Sequence, residues 1–269
     1  KRSMCLPDIP LEDDACDIIA KAMHGQNISS KQLAKSTNQT ESTINAILQG
    51  HSDDSAFRLI SHSLELSSAA LIGISSYQPE VRIPDGLIQI VSPFGHAGVN
   101  AYLIVQDKHA IVFDTGTDAS PLFAFLNQHQ LTLDCLYITH RHHDHLAEIK
   151  KFNNTRIIYP EHTKHGQKTN IFSGELLIAM DVSGHANPAR AYYYEGLSSP
   201  VCIVGDSVFA GSMGKSPDTV CYKQALKTAR DNLMSLPPTT ILCPGHGPIT
   251  TVALEQKHNP FLAERNNGS

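Results

Sequence analysis

The chain has 269 residues, of which 41% are hydrophobic and 17% are charged, a composition that supports a globular core and excludes wholesale disorder. Its formal net charge of −5 argues against a basic nucleic-acid-binding protein. Apolar runs such as residues 87–91 are too short to span a membrane, and no apolar signal-peptide core follows the first residues. We therefore expect a cytoplasmic protein with no membrane partner, whose six cysteines are reduced thiols.

The first 80 residues differ from the rest of the chain and carry six Lys or Arg against ten Asp or Glu, a net charge of −4. Apolar residues at helical spacing predict a helix that begins at Gln39 or Thr40 and ends before Gly50, and further helices over residues 13–23, 31–36 and 55–64. Two segments, 75–80 and 84–86, have the composition of a linker. We therefore predict a helical domain over residues 1–78 and a second domain over residues 79–269.

From residue 87 the pattern changes to short apolar runs separated by turn residues, which is typical of strands. Strands are predicted over residues 87–91, 101–105, 110–113, 134–139, 156–159, 176–180, 189–194, 201–204 and 241–243. Helices are predicted over residues 121–128, 146–150, 219–233 and 252–257. This second region is therefore of the mixed α/β class.

Histidines are concentrated in one short segment of this region. Four of the fifteen lie between positions 140 and 145, in a His-x-His-x-Asp-His motif that follows a predicted strand. A turn after a strand points successive side chains in different directions, so His140 and His142 can bind one metal while Asp144 and His145 reach a second. Imidazole and carboxylate groups suit Zn²⁺, Fe or Mn²⁺. A chance cluster of surface histidines is the alternative interpretation.

Three later motifs each place one ligand-type residue beside a glycine at a predicted strand end. They are Ser183-Gly184-His185, Val204-Gly205-Asp206 and Pro244-Gly245-His246-Gly247-Pro248. With Phe113-Asp114-Thr115-Gly116 and the histidine motif, they stand in the order of the metallo-β-lactamase superfamily, which residues 86–262 resemble. The resemblance implies an α/β protein with a four-layer αββα sandwich, here preceded by a small all-α domain.

The resemblance also implies roles for individual residues. The expected ligands of the first metal are His140, His142 and His185, and those of the second are Asp144, His145 and His246. Asp206 corresponds to the carboxylate that bridges both ions, and Asp114 to an acid behind the ligands that orients the loop of the first motif, Phe113-Asp114-Thr115-Gly116. We expect two divalent ions, Zn²⁺ first and Fe or Mn²⁺ as alternatives, with a bridging hydroxide as nucleophile and with Asp144 and Asp206 as the catalytic residues. His143 and Arg141 are interpreted as loop residues.

The segment from Gly205 to Lys215 and the tail after His246 are similar to glyoxalase II. This resemblance implies hydrolysis of a small thioester or activated ester, with Lys215 helping to hold the glutathione carboxylate of an anionic thioester. A surface charge in a loop is the alternative interpretation of Lys215. Asn100 is a second candidate for substrate binding. Ser216 and Pro217 replace the aromatic residue that follows the lysine in glyoxalase II, so we expect a weak glutathione preference. Persulfide dioxygenases, which use one iron, resemble the chain less.

Residues 30–50 also resemble a helix-turn-helix of the phage-repressor type. The recognition helix carries no Lys or Arg, whereas DNA affinity comes mostly from neutralising phosphates. The alternative function, a DNA-binding transcriptional regulator whose metal domain senses a metabolite, is therefore disfavoured by charge. Dimerisation or covering of the enzyme domain is the other interpretation of these helices, and a homodimer stays open. We expect hydrolysis to survive deletion of residues 1–75.

Overall fold

The computed structural model describes residues 9–96, 98–172 and 174–265, so Cys5 lies outside the described residues. The α-helices in these ranges are α1 (Ala15–Gln26), α2 (Ser30–Thr37), α3 (Glu41–Leu48), α4 (Asp54–Ser63), α5 (Ser68–Gly73), α6 (Ser120–His129), α7 (His143–Leu146), α8 (Thr219–Thr228) and α9 (Val252–His258). The strands are β1 (Leu87–Ser92), β2 (Val99–Gln106), β3 (His109–Phe113), β4 (Thr132–Tyr137), β5 (Arg156–Ile158), β6 (Lys168–Ile171), β7 (Glu175–Asp181), β8 (Arg190–Tyr194), β9 (Val201–Gly205), β10 (Ile241–Pro244) and β11 (Thr250–Thr251). Among the described residues, no helix combines the length and apolarity needed to cross a membrane.

Local capping explains where the N-terminal helices begin. The Asp14 carboxylate accepts hydrogen bonds from the backbone N–H groups of Cys16 and Asp17, which satisfies donors that the first turn of α1 leaves free. Ser29 and Thr40 cap α2 and α3 in the same way. The four helices predicted from periodicity are confirmed, and α5 is an additional one that the sequence analysis missed.

Two sheets form the centre of the second region. One has the strand order β1-β2-β3-β4-β5, and the other β11-β10-β9-β8-β7-β6. Alternation along β8 shows how they pack: Tyr192 and Tyr194 are buried between the two sheets, whereas Tyr193 packs on the outer face of the second sheet. Helix α6 covers the outer face of the first sheet through Leu122 and Leu126. The α/β fold class with two facing sheets between helical layers is confirmed.

Some predicted elements differ from the observed ones. The helix predicted over residues 146–150 is wrong, because the chain is helical over α7 and then forms a separate 3-10 turn at Ile149–Phe152. Strand β6 was missed because its residues are mostly polar, and β11 was missed because it has only two residues. The helix predicted over residues 219–233 is confirmed as α8 followed by a π-helical turn at Ala229–Leu233.

The N-terminal helices share one hydrophobic core with the second region. Buried residues of α1 to α5 pack in the same cluster as Met213, Tyr222 of α8 and Phe261. Tyr77, in the predicted linker, is also buried and donates a hydrogen bond to Glu255 of α9. Removing residues 1–75 would therefore expose apolar side chains of the second region. That hydrolysis survives this deletion stays a prediction.

Candidate metal centre

Seven His and Asp side chains converge at one edge of the two sheets. They come from the turn after β4, from α7 and from the loops that follow β7, β9 and β10. They fall into two groups, the first being His140, His142, His185 and Asp206, and the second Asp144, His145 and His246. Each group offers ligand atoms that lie within 4.8 Å of one another. The structure thus brings together all seven predicted ligands, and their division between two ions stays a prediction.

In the first group, three imidazoles face one another. His140 Nε2 is 3.1 Å from His142 Nδ1, and His185 Nε2 is 2.9 Å from the same His142 atom. The Asp206 Oδ2 atom lies 3.8 Å from His140 Nε2 and 3.4 Å from His185 Nε2. Ligands bound tetrahedrally at about 2.0–2.1 Å from Zn²⁺ lie roughly 3.3 Å apart, so this spacing fits a metal ion.

The second group meets the first at Asp206. His246 Nε2 is 3.1 Å from Asp144 Oδ2 and 3.5 Å from Asp206 Oδ2. His145 Nε2 is 3.1 Å from Asp206 Oδ1 and 3.6 Å from Asp144 Oδ2. The Asp206 carboxylate therefore contacts members of both groups, which is the position that a bridging carboxylate requires.

In the residues that the structure describes, two of the polar atoms that face the cluster lack a hydrogen-bond partner. Within the described part of the chain, His145 Nε2 and Asp206 Oδ1 are buried without a hydrogen-bond partner. Orphaned buried polar groups are costly, and a coordinated cation is one way to satisfy them. Gly245 keeps this space open, since a Cβ atom there would lie 2.0 Å from Asp206 Oδ1. Both the donor set and the geometry fit divalent metal ions.

The outward-facing nitrogen of each of three imidazoles is held by the protein. His185 Nδ1 is 2.8 Å from the Lys215 carbonyl oxygen, and His246 Nδ1 is 2.7 Å from that of Gly98. His145 Nδ1 is 2.9 Å from Asp114 Oδ2. Donating Nδ1–H to these acceptors leaves the Nε2 lone pair directed at the cluster, which is how metal-binding histidines are normally oriented.

Asp114 contacts the segment that carries the histidine motif, which is a different loop from the one that the sequence analysis assigned to it. Its carboxylate accepts hydrogen bonds from the backbone N–H and the hydroxyl of Thr139, at 2.8 and 2.7 Å, as well as contacting His145. Asp114 is buried and has a φ of 59°, a left-handed conformation that is uncommon for a residue other than glycine. Such backbone strain is concentrated at functional sites, where surrounding contacts maintain it.

Charge and burial set the protonation of the cluster. Burial lowers the pKa of His140 well below its usual value and also lowers the pKa of His185, so both imidazoles are neutral and can donate a lone pair. Burial alone would raise the pKa of Asp206, but the attraction of His145 outweighs it and holds this pKa well below the usual range. Against the opposing effect of burial, hydrogen bonds to Asp144 and Asp206 raise the pKa of His246 to about 10. Metal binding must displace that proton.

Four other predicted residues lie outside the cluster. His143 is exposed, as interpreted from the sequence, and Arg141 forms an ion pair with Glu161 at the surface. Asn100 is fully buried, and its amide donates to the carbonyl oxygens of Pro244 and Gly247, so it holds the loop that carries His246. Its position gives no support to the prediction that it binds substrate. Lys215 is exposed, and its backbone carbonyl contacts His185.

The cluster opens to solvent on the side of His142, the exposed member of the first group. The rings of Phe94 and Phe209 both pack against His246, each with its centroid 5.6 Å from that of the imidazole, and Phe94 is 46% exposed. Neither aromatic residue was singled out by the sequence analysis: Phe94 belongs to no motif, and Phe209 lies within the Gly205–Lys215 segment but was given no role there. Phe94 provides exposed apolar surface next to the cluster, whereas Phe209 is buried against it.

Comparisons with known proteins agree with this architecture. A family model described as the metallo-beta-lactamase superfamily matches residues 95–158, the stretch that contains the histidine motif. Among solved structures, the BLEG-1 B3 metallo-beta-lactamase is 26% identical with a TM-score of 0.56, and covers 66% of this chain and 100% of its own. A metallo-beta-lactamase from Staphylococcus aureus is 20% identical with a TM-score of 0.58, over 68% of this chain and 65% of that one. The chain therefore has the metallo-β-lactamase fold, and these matches support membership of the superfamily.

Two curated relatives are similar at low identity. A probable metallo-hydrolase, YqgX of Bacillus subtilis, is 24% identical over 202 residues, which cover 63% of this chain and 95% of the relative. A hydroxyacylglutathione hydrolase of Serratia proteamaculans is 26% identical over 153 residues, or 52% of this chain and 58% of that protein. The match to the superfamily model, the metallo-hydrolase relative and the His/Asp cluster together support the function of a metal-dependent hydrolase.

Proposed function

We propose that this chain is a dinuclear metal-dependent hydrolase that acts on a small thioester or activated ester. The observation that carries the proposal is the convergence of seven ligand-type side chains in two groups that meet at Asp206. Two groups of this size exceed what a single structural ion requires. An arrangement that opens to solvent beside His142 also suits catalysis, because a catalytic site keeps a coordination position for water or substrate.

His140, His142 and His185 would hold one divalent ion, and Asp144, His145 and His246 the other, with Asp206 between them. When bound, such a pair of ions supplies Lewis acidity for the substrate carbonyl and activates water near neutral pH. The protein's own contribution is orientation. Asp114 and the carbonyl groups of Gly98 and Lys215 fix the imidazoles, and the ionised Asp206 carboxylate balances the positive charge.

The metal is proposed to be Zn²⁺, with Fe and Mn²⁺ as alternatives, because five imidazoles and two carboxylates form a donor set that all three accept. A cytoplasmic location is proposed because Cys135, Cys202 and Cys243 are buried as free thiols, which a reducing compartment maintains.

The thioester assignment is supported by the hydroxyacylglutathione hydrolase relatives and by the exposed Lys215 beside His185. A cation at this position can bind the carboxylate of an anionic thiol. Since Ser216 and Pro217 follow the lysine, aromatic contact with such a thiol is missing at that point of the chain. We therefore propose a thioesterase with a weak glutathione preference.

The test compares S-lactoylglutathione with the lactoyl thioester of a neutral thiol, using protein loaded with two equivalents of Zn²⁺. We expect both to be hydrolysed and the glutathione ester to be preferred by less than about tenfold, which corresponds to one exposed ion pair. Lys215→Ala should abolish that preference, whereas the matched control Lys35→Ala, on an exposed lysine of α2, should retain it. Turnover of lactones or phosphodiesters without any thioester turnover would assign the chain to another branch.

A further inference from the structure

The loop that follows Asp206 is contacted by polar side chains from the first residues of the N-terminal helical region. Asp13, which is 8% exposed, accepts a hydrogen bond of 2.6 Å from the Ser212 hydroxyl. The Lys21 ammonium on α1 forms an ion pair with the same carboxylate and donates a hydrogen bond of 2.9 Å to the Met213 carbonyl oxygen. Residues 212 and 213 are therefore held by hydrogen bonds to the side chains of Asp13 and Lys21.

The two residues that follow, Gly214 and Lys215, contact two predicted ligands, Asp206 and His185. Gly214 donates its backbone N–H to the Asp206 carbonyl oxygen at 3.0 Å, and the next carbonyl, that of Lys215, holds His185 Nδ1. No side chain fits at Gly214, because a Cβ atom would lie 2.1 Å from the Asp206 carbonyl oxygen and 2.6 Å from His185 Nδ1. A shift of residues 212 and 213 would therefore also move the Lys215 carbonyl group and the His185 imidazole that it holds.

A second contact from the same N-terminal segment lies behind His246. The Leu11 carbonyl oxygen is 3.2 Å from His96 Nε2, in the loop whose Gly98 carbonyl holds the His246 imidazole. A Cβ atom at Gly247 would lie 3.3 Å from the Glu12 backbone nitrogen, so the two segments are in close contact. The N-terminal segment therefore touches the supports of one ligand in each group.

We propose that Asp13 and Lys21 are positioning residues of the metal centre, which orient His185 through the turn formed by residues 212–215. On this proposal the helical region packs against the second region and also helps to orient a metal ligand. This inference rests on the proposed metal-dependent function, because it requires His185 to be a ligand. A buried, hydrogen-bonded ion pair suits the role, since it specifies one geometry where apolar packing tolerates several.

The test uses the full chain with Co²⁺ as the probe, because the visible absorption of bound Co²⁺ reports the geometry of its ligands. Asp13→Asn combined with Lys21→Met removes both charges together and leaves no unpaired buried ion. We expect the double variant to fold, to show an altered Co²⁺ spectrum and to bind Co²⁺ roughly tenfold more weakly in competition with a chelator, the lower end for residues behind a ligand. Lys35→Met on α2, an exposed lysine, is the matched control and should match the wild-type spectrum and affinity.

Thermal unfolding of the same variants shows whether a change in Co²⁺ binding comes from the orientation of His185 or from lower overall stability. If the double variant fails to fold, Ser212→Ala, which removes one hydroxyl, decides the matter and should change the spectrum in the same direction. A folded double variant, or a folded Ser212→Ala protein in its place, with wild-type spectrum and affinity would overturn the proposal. Since Co²⁺ binding is measured without substrate, an inactive wild-type protein that binds Co²⁺ would contradict the thioesterase assignment alone.

Discussion

The Asp206 carboxylate contacts His140, His185 and His246 through one oxygen and His145 through the other. Asp206→Ala should therefore reduce metal content from about two ions per chain to less than one, since both groups lose a shared ligand. His143→Ala is the matched control, because His143 is exposed in the same motif and should leave the content unchanged. Elemental analysis of the purified variants measures this. Equal metal content in the two variants would show that the ligands are misassigned.

The proton on His246 makes metal binding depend on pH. With a pKa of about 10, His246 is protonated near neutrality, and Nε2 must lose that proton to bind a metal. The Asp144 and Asp206 carboxyl groups, whose pKa values are lowered, stay ionised in this range. Apparent Zn²⁺ affinity should thus rise about tenfold or more between pH 6 and pH 7. Calorimetry in two buffers of different ionisation enthalpy counts the released protons, and a pH-independent affinity would contradict the expectation.

Sequence reasoning identified the seven His and Asp residues that the structure brings together, because each lies in a short local motif beside a glycine or a strand end. Residues that support the ligands have no such motif. Asp13 precedes a helix and Lys21 lies within it, and the hydrogen bond from Ser212 to Asp13 joins residues 199 positions apart. A buried partner at that separation follows only from the three-dimensional packing, so these residues could not be identified in advance.

At the scale of elements, Glu255 ties α9 to three other segments. Its carboxylate accepts hydrogen bonds from Tyr77, Thr250, Asn259 and the backbone N–H of Gly211, all at 2.7–2.9 Å, and the side chain is fully buried. Glu255→Ala should lower the free energy of unfolding by about 2–4 kcal/mol, because these donors would be left without an acceptor.

Glu255→Gln is the matched control for that substitution. Its amide oxygen can still accept from Gly211 and Asn259, while its N–H group donates to the hydroxyl of Tyr77 or Thr250, which can accept. The loss should therefore be below about 1 kcal/mol. Urea unfolding followed by circular dichroism measures both variants. Equal losses in the two variants would mean that the Gln amide cannot replace the carboxylate as an acceptor, which would contradict this expectation.

Helix α3 provides a test of the helix-turn-helix resemblance. Its surface residues include Glu41, Ser42 and Asn45, and no Lys or Arg lies between Thr40 and Gly50. Few phosphate contacts are available, so random duplex DNA should not bind at near-physiological salt. Fluorescence anisotropy with a labelled duplex measures this. Tight binding that weakens steeply as salt rises would overturn the charge argument.

Element prediction succeeded where one periodicity extended over a whole segment with a capping residue, as for α1 with Asp14 and α3 with Thr40. It failed where tertiary contacts determine the conformation. Helix α7 is a single turn that contains Asp144 and His145, and the apolar pattern after it predicts a helix that the structure replaces with a 3-10 turn. Short or polar elements such as β6 lack the hydrophobic alternation on which strand prediction depends.

At the scale of the whole molecule, the N-terminal helices and the second region share one hydrophobic core. The apolar faces of α1 to α5 pack on α8 and on Phe261, and Asp13 and Lys21 reach the loop that carries Asp206. A boundary near residue 78 can be predicted from composition, but the packing across it cannot, because the interface residues carry no periodicity that distinguishes them from an ordinary helical core. The helical region is thus bound to the hydrolase region by both apolar and polar contacts.

The central claim is that two metal ions in this cluster support hydrolysis. Protein stripped with a chelator and titrated with Zn²⁺ tests it, with thioester hydrolysis and bound metal measured on the same samples. We predict no activity in the stripped protein and a rise to a plateau at about two equivalents of bound Zn²⁺. Full activity in stripped protein, or no hydrolysis at any occupancy with Zn²⁺, Fe or Mn²⁺, would contradict it.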